Sequence, residues 1–387
     1  MTTTKNNEHK KLNVPNLRFP EFQGEWEKCK FKDVCSTSTG NKNTQDKIDD
    51  GIYPFYVRSQ TVERINSWTF DGEAILTAGD GVGVGKVFHH TYGKIGVHQR
   101  VYILSNFKCD ANYLFHFFSS HFYNRVKRMS AKNSVDSVRK EMITEMPLYL
   151  PSKQEQAKIG VLLSLLDERI STQNKVIDKL QSLIKGIMAN LQKRGLKNNT
   201  WGKISLCDVL AERKELNKQL YPVFSVSVSQ GVINQIEYLG RSFAAKDTSK
   251  YHVVYYGDII YTKSPTGDFP YGIVKQNYNQ EKVAVSPLYG VYVPKSYSIG
   301  VFLHEYFKSN VNTYNYLHPL IQKGAKNTIN ITNQHFLENK VAMPLVEQEL
   351  VRISNLILSL NAKIMLMQYL KDKYGRQKQY LLRQMFV

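Results

Sequence analysis

Cysteine is scarce in this chain: four residues in 387, at Cys29, Cys35, Cys109 and Cys207. None forms a C-x-x-C pair, and Cys29 and Cys35 have no histidine at zinc-ligand spacing. Neither a disulfide framework nor a structural zinc site is expected, and reduced thiols point to the cytoplasm. No Pro-Pro pair occurs, which removes the Asn/acid-Pro-Pro-aromatic clamp of a methyltransferase acting on a base amino group. No apolar run approaches the ~20 residues of a membrane span. Residues 1–11 are polar, lack the apolar centre of a signal peptide and read as a disordered lead. Acid is also short, at 33 Asp and Glu against 52 Lys and Arg, a formal charge of +19. The excess is spread along the chain and is not confined to a tail, so a polyanionic partner is expected, with nucleic acid first.

What is present is repetition. Ala131-Lys132-Asn133-Ser134-Val135 returns as Ala325-Lys326-Asn327-Thr328-Ile329, and the same shift carries Leu166-Asp167 onto Leu360-Asn361. Trp26-Glu27-Lys28 with Asp33-Val34 returns as Trp201-Gly202-Lys203 with Asp208-Val209. The pattern predicts an α+β chain made of two pseudo-symmetric globular domains, each followed by a long helix: a first domain over 12–151, its helix over 152–195, a second domain over 196–344, and its helix over 345–387. Short strand-like runs at Tyr53–Val57, Ala74–Thr77, Lys94–Val97 and Arg100–Leu104 precede an aromatic helix at Ala111–Arg128. The second copy offers strands at Tyr221–Val228, Val253–Thr262, Gly272–Val274 and Leu288–Val293, then a helix at Val301–Leu317.

The long helices carry the strongest local signal. Ile159, Leu163, Leu166, Ile170, Gln173, Ile177, Leu180, Ile184, Ile187 and Leu191 alternate at steps of four and three, which is a coiled-coil seam. Residues 153–194 would span about 60 Å. The second seam is Ile353, Ile357, Leu360, Ile364 and Met367, interrupted at Lys371 and Lys378 and closed by Leu381 and Met385. Each helix alone exposes an apolar stripe, so the two are expected to pack together as an antiparallel coiled coil. Gln173 either fixes register within the seam or sits where the seam meets solvent.

Searches for catalytic motifs end without one. Gly79-Asp80-Gly81-Val82-Gly83-Val84-Gly85-Lys86 resembles a phosphate loop, but Asp80 stands where glycine is required and Val87 where Ser or Thr would hold magnesium. It reads as a flexible loop between strands. Asp208 with Glu212-Arg213-Lys214 has the residue types of a nuclease but reads as a solvated helical face. His89, His90 and His98 lie near Glu73 and Asp80, so a metal site stays open beside surface or base-contacting roles. No Ser/His/Asp set stands out. The expectation is therefore no catalytic residue, no bound metal and no cofactor on this chain.

The positive candidates are DNA contacts. Lys132, Asn133 and Ser134, with Lys326, Asn327 and Thr328, combine a phosphate-neutralising amine, an amide able to pair bidentately with adenine, and a hydroxyl. A polar turn kept by both copies for structural reasons is the alternative. Arg139 and Lys323 extend the positive surface. Two matched strands, at Gly72–Thr77 and Gly257–Thr262, run into loops that differ between the copies, as two readers of different sequences would show. Arg58, Gln60 and Arg64 in the first half, and Lys263, Ser264 and Thr266 in the second, are the further candidates.

Taken together, the chain resembles the specificity subunit of a type I restriction–modification system. The tandem domain-plus-helix repeat carries this. So do the lead-in Val14-Pro15-Asn16-Leu17-Arg18-Phe19-Pro20-Glu21-Phe22, the Gly-Asp-Ile-Ile at 257–260, the Pro-x-x-x-Glu-Gln at 151–156 and Leu-Leu-Arg-Gln-Met-Phe at 381–386. In the second copy the lead Pro344-Leu-Val-Glu347-Gln348 is one residue shorter. The resemblance implies that the globular parts are target-recognition domains and the helices a spacer. The target would be duplex DNA, read as two half-sites around an unspecified gap. Two modification subunits would use S-adenosylmethionine to methylate adenine, and two restriction subunits would use ATP and Mg. The chain itself would have no catalysis, no cofactor and no membrane contact. The alternative from another class is a coiled-coil adaptor that binds RNA or single strands without sequence choice, with the tyrosines as stacking platforms.

Overall fold

The computed structural model describes residues 13–130, 137–323 and 329–387. The chain forms two compact units, residues 1–174 with 369–387, and residues 175–368. Each unit thus holds one globular part and a stretch of both long helices.

In the first unit, Trp26 is buried and opens a strand, Glu27–Lys30, that pairs antiparallel with Pro147–Leu150. The two ends of the globular part are therefore hydrogen-bonded to each other where the long helix begins. Between them lies a six-stranded sheet in the order Ser36–Thr39, Val101–Ser105, Phe70–Ala78, Phe88–Val97, Tyr53–Tyr56, Val62–Ile65. Its pairs are antiparallel except Tyr53–Tyr56 against Phe88–Val97. The helix Ala111–Met129 packs against it. Asp110 starts that helix by accepting the Tyr113 amide at 2.8 Å. Leu114, Phe118, Phe122 and Val126 follow at steps of four, and all are buried. Phe118 meets Phe31, Phe88 and Phe122 with ring centroids 4.5–5.3 Å apart, each ring adding roughly 1.5–3 kcal/mol by burial.

The second unit repeats the plan with a smaller sheet. Trp201 is buried at the start of Trp201–Ser205, which pairs antiparallel with Lys340–Pro344. The four-stranded sheet runs Leu210–Glu212, Gly290–Pro294, Ile259–Tyr261, Val274–Gln276. That order matches the first four strands of the other sheet. At its core Phe336 is stacked between Tyr261 and Tyr292 at 4.7 and 4.8 Å, and all three are fully buried.

Three expectations need correction. Val253–Thr262 is two strands, His252–Val254 and Ile259–Tyr261. Gly257 adopts φ +89° between them, and the buried Asp258 accepts the Tyr255 amide and both ends of the Arg213 guanidinium, which fixes a turn. Val301–Leu317 is also divided, into Tyr297–Tyr306 and Asn310–Leu317, because Ser309 caps the second helix by accepting the Asn312 amide. Residues 206–214 are not a helical face: Leu206–Asp208 is one 3-10 turn and Leu210–Glu212 a strand, with Arg213 committed to Asp258.

The long helices run Lys153–Lys197 and Glu347–Gln384. In the first unit Ile159, Leu163 and Leu166 are buried with Leu381, Leu382, Met385 and Phe386. Asp167 pairs with Lys378 and Arg169 donates to the Tyr374 hydroxyl, so rising numbers on one helix face falling numbers on the other. In the second unit Ile177 and Ile184 pack on Ile364, flanked by Leu180, Met188, Leu360 and Met367. Further along, Met188 and Leu191 meet the cluster of Leu350, Ile353 and Ile357. The packing is antiparallel in each unit, with heptad seams. Ile170 and Gln173 are half-buried, and Gln173 Oε1 is buried with no hydrogen-bond partner among the described residues. Glu347–Gln384 is long and apolar enough, by length and composition, to cross a membrane, with a mean hydropathy of 1.4 over its best window. Ile353, Ile357 and Ile364 of this helix are buried in the seam, whereas Leu356, Met365 and Leu366 stay exposed.

The sequence lead Pro151–Gln156 has a local cause. Gln156 donates to the Pro151 carbonyl at 2.8 Å and accepts the Asp110 amide at 2.9 Å. Glu155, fully buried, takes two bonds of 2.7 Å from Arg18. Arg18 also donates to the carbonyls of Gln23 and Gly24, which straps the lead-in onto the helix.

Candidate nucleic-acid interface

Two candidate residues of the first unit, Arg58 and Gln60, lie together at one rim of the six-stranded sheet. Arg58 and Gln60 lie in the turn between Tyr53–Tyr56 and Val62–Ile65, and both are exposed. Arg58 Nη1 donates to Asp80 Oδ1 at 2.8 Å. Arg64 is exposed, but its guanidinium donates to the carbonyls of Gly51 at 2.9 Å and Ile52 at 3.0 Å; it staples a turn. Arg139 is exposed at the start of the short helix Lys140–Thr144. Lys132, Asn133 and Ser134, with Lys326, Asn327 and Thr328, lie outside the described residues. Lys323 belongs by its backbone to Gln322–Lys323, which pairs with Ile329–Asn330.

In the second unit Lys263 has φ +61° and is half-buried, and burial lowers its pKa against the pull of Glu212. Ser264 and Thr266 are exposed. Thr266 and Phe269 exchange both backbone bonds around Gly267, closing a tight turn on the buried Phe269. The structure thus brings Arg58 and Gln60 together on one rim, and Lys263, Ser264 and Thr266 on one loop.

The glycine loop after Phe70–Ala78 is held, not loose. Gly79 donates to the Arg100 carbonyl at 2.7 Å and accepts the Val138 amide at 2.7 Å. Val84 is buried, and a Cβ on Gly83 would lie 2.3 Å from the Arg58 carbonyl, so only glycine fits. Val82 stands at the tip, 97% exposed. Lys86 lies over the Tyr123 ring at 5.6 Å and Lys94 over Trp68 at 5.2 Å. Arg100, Lys94 and Trp68 were not singled out in the sequence, and Asp80 only beside the histidines and in the glycine loop. Their partners come from other strands, so no local pattern marks them. In the second unit Lys282 lies over the distant Tyr255 at 4.5 Å, whereas Arg241 lies over its near neighbour Phe243 at 4.5 Å.

The histidines have protein partners. His89 Nε2 meets the Ser59 carbonyl at 3.2 Å, His90 Nε2 meets Glu73 at 3.0 Å, and His98 Nδ1 accepts the Arg100 amide at 3.0 Å. Among the described residues no group of three or more His, Cys, Asp or Glu is placed to hold a metal. His89, His90 and His116 line a polar cleft of about 550 Å³ with Asn112, Ser164 and Asp167. Burial pushes His116 down to about 3, with Lys378 adding to the shift. A histidine depressed in the folded state is neutral in both states above its unfolded pKa of about 6.5. Below that pH the unfolded chain takes up the proton first, so stability falls from about pH 6.5 towards pH 3. Urea unfolding followed in the first unit should show a loss of about 2 kcal/mol between pH 7 and pH 5 from this group. His89 and His121, also lowered by burial, steepen the slope. The His116→Gln variant should be flatter, and an unchanged slope would refute the assignment.

Comparison with known proteins places this geometry. Residues 23–182 match the model of the family described as Type I restriction modification DNA specificity domain. Over 161 residues the chain is 26% identical to the "Type I restriction enzyme EcoDI specificity subunit" of Escherichia coli, covering 42% of this chain and 35% of that protein. The matched stretch is thus about a third of that relative's length. Among solved structures, the S subunit of a type-I restriction-modification system from M. genitalium has a similar fold, with a TM-score of 0.66 at 13% identity, covering 97% of this chain and 99% of that one.

Proposed function

We propose that this chain, whose residues 23–182 match the type I restriction modification DNA specificity domain, reads a bipartite duplex sequence and directs adenine methylation and cleavage by partner subunits. The single observation that carries the reading is the repeated plan: two units whose main sheets share the order of four strands, each with its ends paired at the start of a long helix. Such a chain offers two similar faces whose loops differ, and two half-sites separated by bases that are not read suit it. The charge of +19 supplies salt-dependent affinity for phosphates. Side chains reaching base edges supply discrimination of about 1–3 kcal/mol for each good bidentate pair.

In this reading the chain has no catalytic residue of its own. S-adenosylmethionine belongs to two modification subunits, and ATP with Mg to two restriction subunits, all in the cytoplasm. The test is to produce the chain with its modification subunits in a cell and map methylated adenines. The expected result is one sequence of two short fixed blocks around a gap of fixed length. A single continuous block, or methylation without sequence preference, would overturn it. Binding that falls with salt yet ignores duplex sequence would fit the RNA or single-strand adaptor instead.

A further inference from the structure

We propose that Asp80 is a positioning residue that aims Arg58 and Arg100 as a guanine-reading pair. The inference rests on the DNA-reading proposal and names a specificity element within it. Three chain segments meet here: the turn after Tyr53–Tyr56, the loop after Phe70–Ala78, and the turn before Val101–Ser105. One carboxylate serves both arginines. Asp80 Oδ1 holds Arg58 Nη1 at 2.8 Å, and Oδ2 faces Arg100 Nε at 3.7 Å. The arginines stay open, with side chains 45% and 65% exposed, while Asp80 is 24% exposed.

The backbone beneath is fixed from several sides. Asp80 bridges to Ser137, Gly79 is bonded to Arg100 and Val138, and the Arg100 amide is held by the buried His98. Gly83 allows the loop to close on the Arg58 carbonyl. An acid on a surface meant for phosphates repels them, so its place needs a reason. Orientation gives one. An unheld arginine must lose side-chain entropy on docking; one tethered through a single N–H keeps four donors free and has lost much of it already. The free edge of a guanidinium matches O6 and N7 of guanine.

The experiment uses the chain assembled with its modification subunits and the target mapped as above, the half-site of the first unit being assigned by exchange of that unit. Each guanine in that half-site is replaced in turn by 7-deazaguanine, which lacks the N7 acceptor. We expect one position at which binding weakens about tenfold. Asp80→Ala should weaken the unmodified target about tenfold and no longer sense 7-deazaguanine there. It should bind random duplex as well as the parent or a few-fold tighter, since a negative charge is gone. Asp80→Glu should restore most of the preference. Equal weakening on target and random duplex would mean a structural role, and tightening on both would mean a repulsive charge alone; either overturns the inference, as does a half-site with no guanine on either strand. Absence of any sequence preference in the parent complex would instead fail the underlying DNA-reading proposal.

Discussion

Exchanging residues 13–151 for the equivalent segment of a type I specificity subunit is expected to change one half of the methylated sequence and leave the other half and the gap as they were. Mapping methylated adenines before and after the exchange reads this directly. The structure gives the exchange its physical basis. Glu27–Lys30 and Pro147–Leu150 pair in one ladder, so both junctions of the graft fall at one place. The graft must still fit Ile159, Leu163, Leu166, Leu381 and Phe386, which share its core. A wrong base pair costs about 1–3 kcal/mol, so three changed positions would shift preference by roughly 10²-fold or more. If both halves of the sequence changed, or neither did, the modular reading would fail.

Arg18→Ala is expected to destabilise the first unit by about 3–5 kcal/mol, because it leaves the fully buried Glu155 carboxylate without its cation. For a unit of this size the thermal midpoint should drop by about 10 °C. The double variant Arg18→Met with Glu155→Leu should recover most of the loss, since neither charge then remains to be desolvated. Calorimetry of the parent and these two variants decides it. If the single variant melted with the parent, the strap would hold nothing. The expected damage goes beyond one ion pair, because the same guanidinium gathers the carbonyls of Gln23 and Gly24.

Much of this architecture was legible in the amino-acid pattern. The repeated Trp26 and Trp201 are buried beside the strand pairs that close each globular part. The steps of four and three in the long helices are the seams. The dense aromatic run marked the helix expected at Ala111–Arg128, which forms as Ala111–Met129. The misses share a physical cause. Gly257-Asp258 reads as part of an apolar strand until Arg213, 45 residues earlier, supplies the partner that makes it a turn. Ser309 reads as helix interior between the aromatic residues on either side, whereas its hydroxyl starts a new helix. Arg64 reads as a free cation, yet its donors are spent on two carbonyls. Side-chain commitments of this kind depend on distant partners, and local periodicity does not contain them. Of the proposed DNA contacts, Arg58 illustrates the limit: its exposure suits the role, but Asp80 and Arg100 come from other strands.

The first unit includes residues 369–387, and Leu381, Leu382, Met385 and Phe386 are buried in it against Tyr113 and Phe117. During synthesis its earlier part must therefore wait, with those aromatic rings uncovered, while more than two hundred further residues are added. At about 5–20 residues per second the delay is on the order of 10–50 s. The second unit, whose residues are contiguous, can finish folding within that interval. Assembly on the ribosome then runs in reverse of gene order, and a chaperone that shields apolar surface has its natural target in the unit made first.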